Sequence, residues 1–305
     1  MCELLGMSAH HPASITLSLN EFARHGGETG PHADGWGVAY YEGPDANLIR
    51  ESTSAASSLL MSTLRGYRLA SETVIAHIRR ASFGPVELRN THPFRREMGG
   101  RVHIFAHNGD LPGIEDRFPS RQHGIFSPVG NTDSEYAFCV LMQRLARVPV
   151  DIGAVAAMSI RKRIISGFAR EIGELGPANF LYSDGDALFV HGHERSQPDG
   201  SMRAPGLYTI SVSCSYGLGH SELTRVELES DDVQKVTLVS TTPLTDADWK
   251  PMHKGQLLVI KGGEIIDSVP GPEYEAGVYP TSPPQLACRV SSRQTLTMAR
   301  VSSLQ

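Results

Sequence analysis

Apolar positions along this chain recur with two periods, and the switches between them mark out its elements. Ile15, Leu19 and Phe22 stand at helical spacing in a stretch from about Pro12 to Arg24, closed by Gly26-Gly27, which predicts a first helix. Trp36–Tyr41 predicts a strand and Ser54–Leu64 a short helix. Val74–Ala81 and Arg101–Ala106 carry the apolar alternation of strands, and both run straight into polar, distinctive residues. Functional sites tend to lie there, at strand ends and on the loops beyond them. Thr132-Asp133-Ser134-Glu135 fits a capping box, and Ala137, Val140, Leu141 and Leu145 then form one apolar helix face. A second helix is predicted from Asp151 to Ile172.

Strand signals return after the helices. Phe180–Tyr182 and Leu188–His191 flank Asp184-Gly185 as a hairpin. Leu207–Val212, Lys235–Val239 and a hairpin of Leu257–Ile260 with Glu264–Ile266 across Gly262-Gly263 complete the set. Strands flank a block of two helices and do not alternate with helices one by one. That order favours an α+β fold with mainly antiparallel sheets over a doubly wound parallel sheet. From about residue 270 the character changes. Prolines 270, 272, 280, 283 and 284 and a Ser/Thr-rich end predict a domain over 1–269 and a poorly ordered tail over 270–305, where Cys288 would be incidental.

Composition narrows the function classes. With 40% apolar and 20% charged residues, the 305-residue chain can bury a large core. A net charge of −5 argues against an extended nucleic-acid footprint. The four cysteines, at 2, 139, 214 and 288, form neither a disulfide framework nor a CxxC pattern and suit a reducing compartment. The start lacks the apolar segment of a signal peptide, and no apolar run approaches the roughly 20 residues that span a bilayer. A cytoplasmic protein is expected. The thirteen histidines invite a metal, and His191-x-His193 and His103 with His107 share faces. No carboxylate or cysteine stands at a ligand spacing beside them, so no metal is expected. Nor does a phosphate-binding glycine loop support a nucleotide cofactor; none is expected.

The candidate chemistry begins at the second residue. Removal of Met1 would leave Cys2 with its own α-amine, a nucleophile beside a base. A thiol ionises near pH 8.5 and an α-amine near about 7.7–8.0, so both can work near neutrality. Four further segments stand out: His77-Ile78-Arg79-Arg80-Ala81-Ser82, Thr91-His92-Pro93-Phe94, Ala106-His107-Asn108-Gly109-Asp110 and Asn131-Thr132-Asp133-Ser134-Glu135. In this order, with Cys2, they resemble the class II glutamine amidotransferases, which are N-terminal-nucleophile hydrolases. The start Met-Cys-Glu-Leu-Leu-Gly-Met-Ser, the run Gly30-Pro31-His32-x-Asp34-Gly35-Trp36-Gly37 and Asn90-Thr91-His92-Pro93-Phe94 look most like the stand-alone YafJ-type branch.

The resemblance implies a four-layer αββα sandwich and a set of roles. Cys2 would attack the γ-amide carbonyl. Asn108 and Gly109 would form the oxyanion hole, although Asn-Gly also reads as a simple turn after a strand. Arg79 would grip the substrate α-carboxylate, against the alternative of a surface ion pair. Asp133 would receive the α-ammonium, and as an acid in a first helical turn it would also suit the helix. Arg80, Ser82 and Phe83 stand where the family's transferases have Trp, Thr and His; Ser82 keeps a hydroxyl for the carboxylate. His32 through Gly37 is expected to form a loop entering a strand near the nucleophile, and His92-Pro93-Phe94 a rigid turn. The expected ligand is glutamine or another γ-glutamyl small molecule. Ammonia would pass to a separate synthase subunit, or the chain would hydrolyse γ-glutamyl compounds alone, as do relatives in ergothioneine synthesis or glutathione breakdown. A non-catalytic module keeping the fold is the rival.

Overall fold

The computed structural model describes residues 1–66, 69–82, 84–119, 124–148, 153–214, 227–228, 234–271 and 286–287. Twelve strands of five residues or more are found among them: β1 (Glu3–Ser14), β2 (Trp36–Glu42), β3 (Asp45–Glu51), β4 (Ala70–Ile78), β5 (Phe94–Met98), β6 (Arg101–Asn108), β7 (Asn179–Ser183), β8 (Leu188–Gly192), β9 (Tyr208–Cys214), β10 (Gln234–Ser240), β11 (Gln256–Lys261) and β12 (Glu264–Val269). They build two sheets, ordered β9-β10-β1-β4-β2-β3 and β12-β11-β8-β7-β6-β5. Every pair among these twelve is antiparallel.

The period-2 alternation of side chains stacks the layers. One face of each sheet supplies the filling between them: Leu4, Ile75, Ile104, Ala106, Leu181, Leu188, Val190 and Leu258. The other face of the first sheet, with Leu5, Met7, Val38 and Val74, packs under α1 (Thr16–Arg24) and α2 (Leu59–Gly66) through Leu19, Phe22, Met61 and Leu64. The outer face of the second sheet, with Phe105, Phe180, Tyr182 and Phe189, packs under α3 (Ile114–Arg117), α4 (Asp133–Leu145) and α5 (Ala154–Gly173). Helices thus cover both outer faces, giving the αββα sandwich that was expected. At the centre of β1, Gly6 leaves room for the second sheet: a Cβ there would stand 3.0 Å from Leu181 Cδ1.

Several boundaries differ from the expected ones. The first helix starts at Thr16 and not near Pro12, because β1 runs on to Ser14. Pro12 is tolerated where the β1–β4 register shifts between Ser8 and Ala13. The short helix expected over Ser54–Leu64 starts at Leu59 because Ser58 caps it, its Oγ accepting Met61 N–H at 2.9 Å. The strand expected over Val74–Ala81 is β4, which runs earlier and ends at Ile78. The capping box is half present: Thr132 Oγ1 accepts Glu135 N–H at 3.2 Å, but Glu135 turns to Gly130 N–H at 2.6 Å and pairs with Arg96 at 2.6 Å. Asp151, the expected start of the long helix, Phe83 and Cys288 lie outside the described residues, as does residue 270 onward apart from 270–271 and 286–287. No helix of the described residues is long and apolar enough to cross a membrane.

Candidate active site

Strand register determines what stands beside Cys2. Glu3 of β1 pairs with Ile78 of β4, so the residues just before one and just after the other are neighbours. Arg80 N–H accordingly reaches Cys2 Sγ at 3.3 Å. Arg79 N–H donates to Gly35 O at 2.7 Å, and Ala81 N–H to Asp34 Oδ2 at 2.8 Å, pinning the segment after β4 to the loop before β2. Arg79 is buried and Arg80 exposed. The Arg79 guanidinium donates to Pro85 O at 3.0 Å and Gly84 O at 3.3 Å.

The second sheet delivers the other half. Asn108 ends β6, and its Nδ2 donates to the Cys2 carbonyl. An amide nitrogen carries two hydrogens, and this bond uses one. Asn108 is itself anchored by Asn179, whose Nδ2 donates to Asn108 O at 3.2 Å and to Glu194 O at 2.8 Å, while its Oδ1 accepts His193 N–H at 2.7 Å. Gly109 adopts φ +153°, and a Cβ there would lie 1.6 Å from Pro177 O; no other residue fits. Asp133, at the start of α4, accepts Leu111 N–H at 2.7 Å through Oδ2 and Ser134 N–H at 2.7 Å through Oδ1. It therefore ties the helix to the chain just beyond Gly109; Oδ1 also accepts Ser134 Oγ–H at 3.1 Å, and a lone pair is left on Oδ2.

Ser82 departs from its expected orientation. Its single hydroxyl hydrogen goes to Asp110 Oδ1, so it reaches a substrate carboxylate only by leaving that partner. Asp110, which sequence reasoning passed over, adds a negative charge near the thiol. Burial pushes the Cys2 thiol up; the Arg80 N–H, the N-terminal charge and Arg79 pull it down, and Asp110 pushes it up. The net direction is upward, so the resting sulfur is a thiol that needs a base.

The His32–Gly37 run is indeed the loop entering β2, and its two glycines are sterically required. A Cβ on Gly37 would meet His92 O at 2.3 Å, and Gly35 has φ +135° with Thr91 Oγ1 3.1 Å from the Cβ position. His92 is buried and its ring lies 4.3 Å from that of His77. Burial, with Arg79 and nearby histidines, pushes His77 down to about 3. Of the other histidine pairs, His191 and His193 stack with ring centroids 5.9 Å apart, and each remaining ring takes its own partner. His103 bonds Tyr182 Oη at 2.7 Å, His107 bonds Ser134 Oγ at 2.9 Å and His191 bonds Ala178 O at 2.7 Å. Among the described residues no three His, Cys, Asp or Glu side chains are placed to hold a metal ion.

Comparison with known proteins gives a consistent picture. The family described as class II glutamine amidotransferases matches residues 1–282. The chain is 36% identical over 274 residues to YafJ of Escherichia coli (strain K12), a candidate glutamine amidotransferase, covering 87% of this chain and 100% of that one. A crystal structure of a predicted glutamine amidotransferase from Pseudomonas aeruginosa superposes with a TM-score of 0.63 at 34% identity, over 87% of this chain and all of the other. The glutamine phosphoribosylpyrophosphate amidotransferase of B. subtilis matches with a TM-score of 0.54 at 15% identity over 88% of this chain and 49% of that one, a likeness of fold alone.

Proposed function

The chain belongs to the class II glutamine amidotransferases, and from that premise we propose that it hydrolyses a γ-glutamyl amide, by default glutamine, through a thioester on Cys2. The observation that carries this reading is the bond from Asn108 Nδ2 to the Cys2 carbonyl, which sets a nucleophile from one sheet against a hydrogen-bond donor from the other across 106 residues of sequence.

Removal of Met1 frees the Cys2 α-amine. The amine takes the thiol proton as Sγ attacks the γ-carbonyl carbon. The oxygen that becomes negative is received by the remaining Asn108 Nδ2 hydrogen and the Gly109 N–H. Donors fixed in place before the reaction stabilise it without reorganising. Collapse breaks the C–N bond, and the amine returns the proton to the departing ammonia. Water then attacks the thioester with the amine again as base, releasing glutamate and restoring the thiol. Arg79 grips the α-carboxylate, with Ser82 adding a bond once it leaves Asp110, and Asp133 receives the α-ammonium. The exposure of Ser82 and Asp110 at the rim supports a second reading, in which a larger γ-glutamyl compound is the substrate and no ammonia-accepting synthase subunit is needed.

The test is glutamate release by Met1-free protein from glutamine and a panel of γ-glutamyl amides. Cys2→Ala should abolish it, and Asn108→Ala should lower kcat by about 10²–10³. Release that persists in Cys2→Ala would sink the mechanism; the best substrate in the panel decides between the two readings.

A further inference from the structure

His32 stands where a free Cys2 amine would be. Its Nε2 lies 2.7 Å from the Met1 carbonyl oxygen, which belongs to the peptide group that removal of Met1 would open. The histidine is buried. Its Nδ1 lies 3.3 Å from the His25 carbonyl, and the turn is shaped around that approach. A Cβ on Gly30 would stand 2.6 Å from His25 O and 3.0 Å from His32 Nδ1. His25 in turn holds Glu3 Oε2 at 2.8 Å, and Glu3 Oε1 lies 3.8 Å from His32 Nδ1.

While Met1 is present, a neutral His32 ring can satisfy only one of the two carbonyls it faces. Both ring nitrogens of His32 face carbonyl oxygens, which only accept, and a neutral imidazole has one N–H. Exchanging the Met1 carbonyl for an amine replaces one acceptor with a donor. The ring can then give Nδ1–H to His25 O and take an amine N–H at Nε2. The other charged or titratable groups around it are Glu3 on β1, His25 at the end of α1 and His77 on β4, with Arg195 beyond Glu3. Burial pushes the Glu3 carboxyl up, but the His25 bond and the neighbouring positive charges outweigh it, so Glu3 stays ionised.

Building on the reading above, we propose that His32 is a positioning residue for the Cys2 α-amine: its Nε2 accepts one amine hydrogen and turns the nitrogen lone pair toward Sγ.

The test uses Met1-free wild type, His32→Ala and His32→Gln, each checked by intact mass and thermal melting. Two pH profiles are read: glutaminase kcat/KM, and the rate of Cys2 alkylation by iodoacetamide. A neutral imidazole bonds an ammonium more strongly than a neutral amine, so its loss favours the free base. His32→Ala should lower kcat by up to about 100-fold, the scale of loss when a reacting group is misplaced by about an ångström. Its KM should hold, and the acid limb of both profiles should move to lower pH. His32→Gln, whose Oε1 can accept the same hydrogen, should recover most of the rate. Unmoved acid limbs in a folded His32→Ala protein, or equal losses in both variants, would overturn the proposal. The alkylation profile keeps this separate from the functional reading: inactive wild type with a shifted limb defeats only the reaction, whereas active wild type with unmoved limbs defeats only the role of His32.

Discussion

At the scale of single residues, the site rests on polar side chains that never meet solvent. Asn179 is fully buried and joins three strand ends through three bonds at 2.7–3.2 Å, one of them to the backbone of Asn108. Asn179→Ala would leave the buried Asn108 carbonyl and His193 N–H, and the partly buried Glu194 carbonyl, short of partners, at about 1–3 kcal/mol for each buried group left unsatisfied. Its urea midpoint should fall accordingly, and kcat should fall with it because Asn108 loses its anchor. An unchanged kcat in a destabilised variant would show that Asn108 keeps its place without Asn179. Nothing in the sequence marks Asn179 out: an asparagine before an apolar strand resembles any loop residue until the strand it joins is known. The same holds for Asp110 and for the Glu3–His25–His32 group, whose members meet only through folding. Cys2, Arg79, Asn108, Gly109 and Asp133 stood out as candidates because each lies in a short run that carries the resemblance to the family. At Gly109 the residue type has a steric cause, since any side chain there would collide with Pro177 O.

At the scale of elements, legibility followed the apolar pattern. The amphipathic helices were visible from their period, and β6, β7 and β8, buried on both faces, from their compact apolar runs. β1 was not, although it lies between β10 and β4 in the first sheet. Both its faces are covered, as are those of β7 and β8, but Glu3, Gly6, Ser8 and the His10-His11-Pro12 run interrupt its apolar residues where those strands keep theirs. β5, with Arg95, Arg96 and Glu97 at its middle, is too polar to announce itself. Helix ends were set by single hydroxyls. Thr132 caps α4, which carries Asp133, and Thr132→Ala should cost about 1 kcal/mol. That should appear as a lower melting temperature together with a raised KM, because the helix start that holds Asp133 frays. A fall in stability with KM unmoved would separate the cap from ligand binding.

At the scale of the whole molecule, the interior holds histidines in their neutral form. Burial pushes His77 down to about 3, His191 to about 4, and His92 well below its usual value. In the unfolded chain they would titrate near about 6.5. A group whose folded value is depressed contributes stability above the unfolded value and loses it as pH falls toward the folded one. Stability should therefore be full above about pH 6.5 and decline toward pH 4, with a slope approaching about 4 kcal/mol per pH unit if all three protonate together on unfolding. Urea unfolding at pH 7.5 and 5.5 would measure it, and equal midpoints would refute neutral burial. The stacking of the two sheets has a consequence of another kind. Cys2 precedes a strand of one sheet and Asn108 ends a strand of the other, so no bonded path of any short length relates them. Their separation is set by the side chains wedged between, with Leu181 against Gly6 among them. Leu181→Ala, at about 2–5 kcal/mol of stability, should thin that filling and slow turnover in protein that is still folded. Gly6→Ala should thicken it and slow turnover as well. The molecule works like a calliper whose jaws are two sheets, and its turnover number reads the opening.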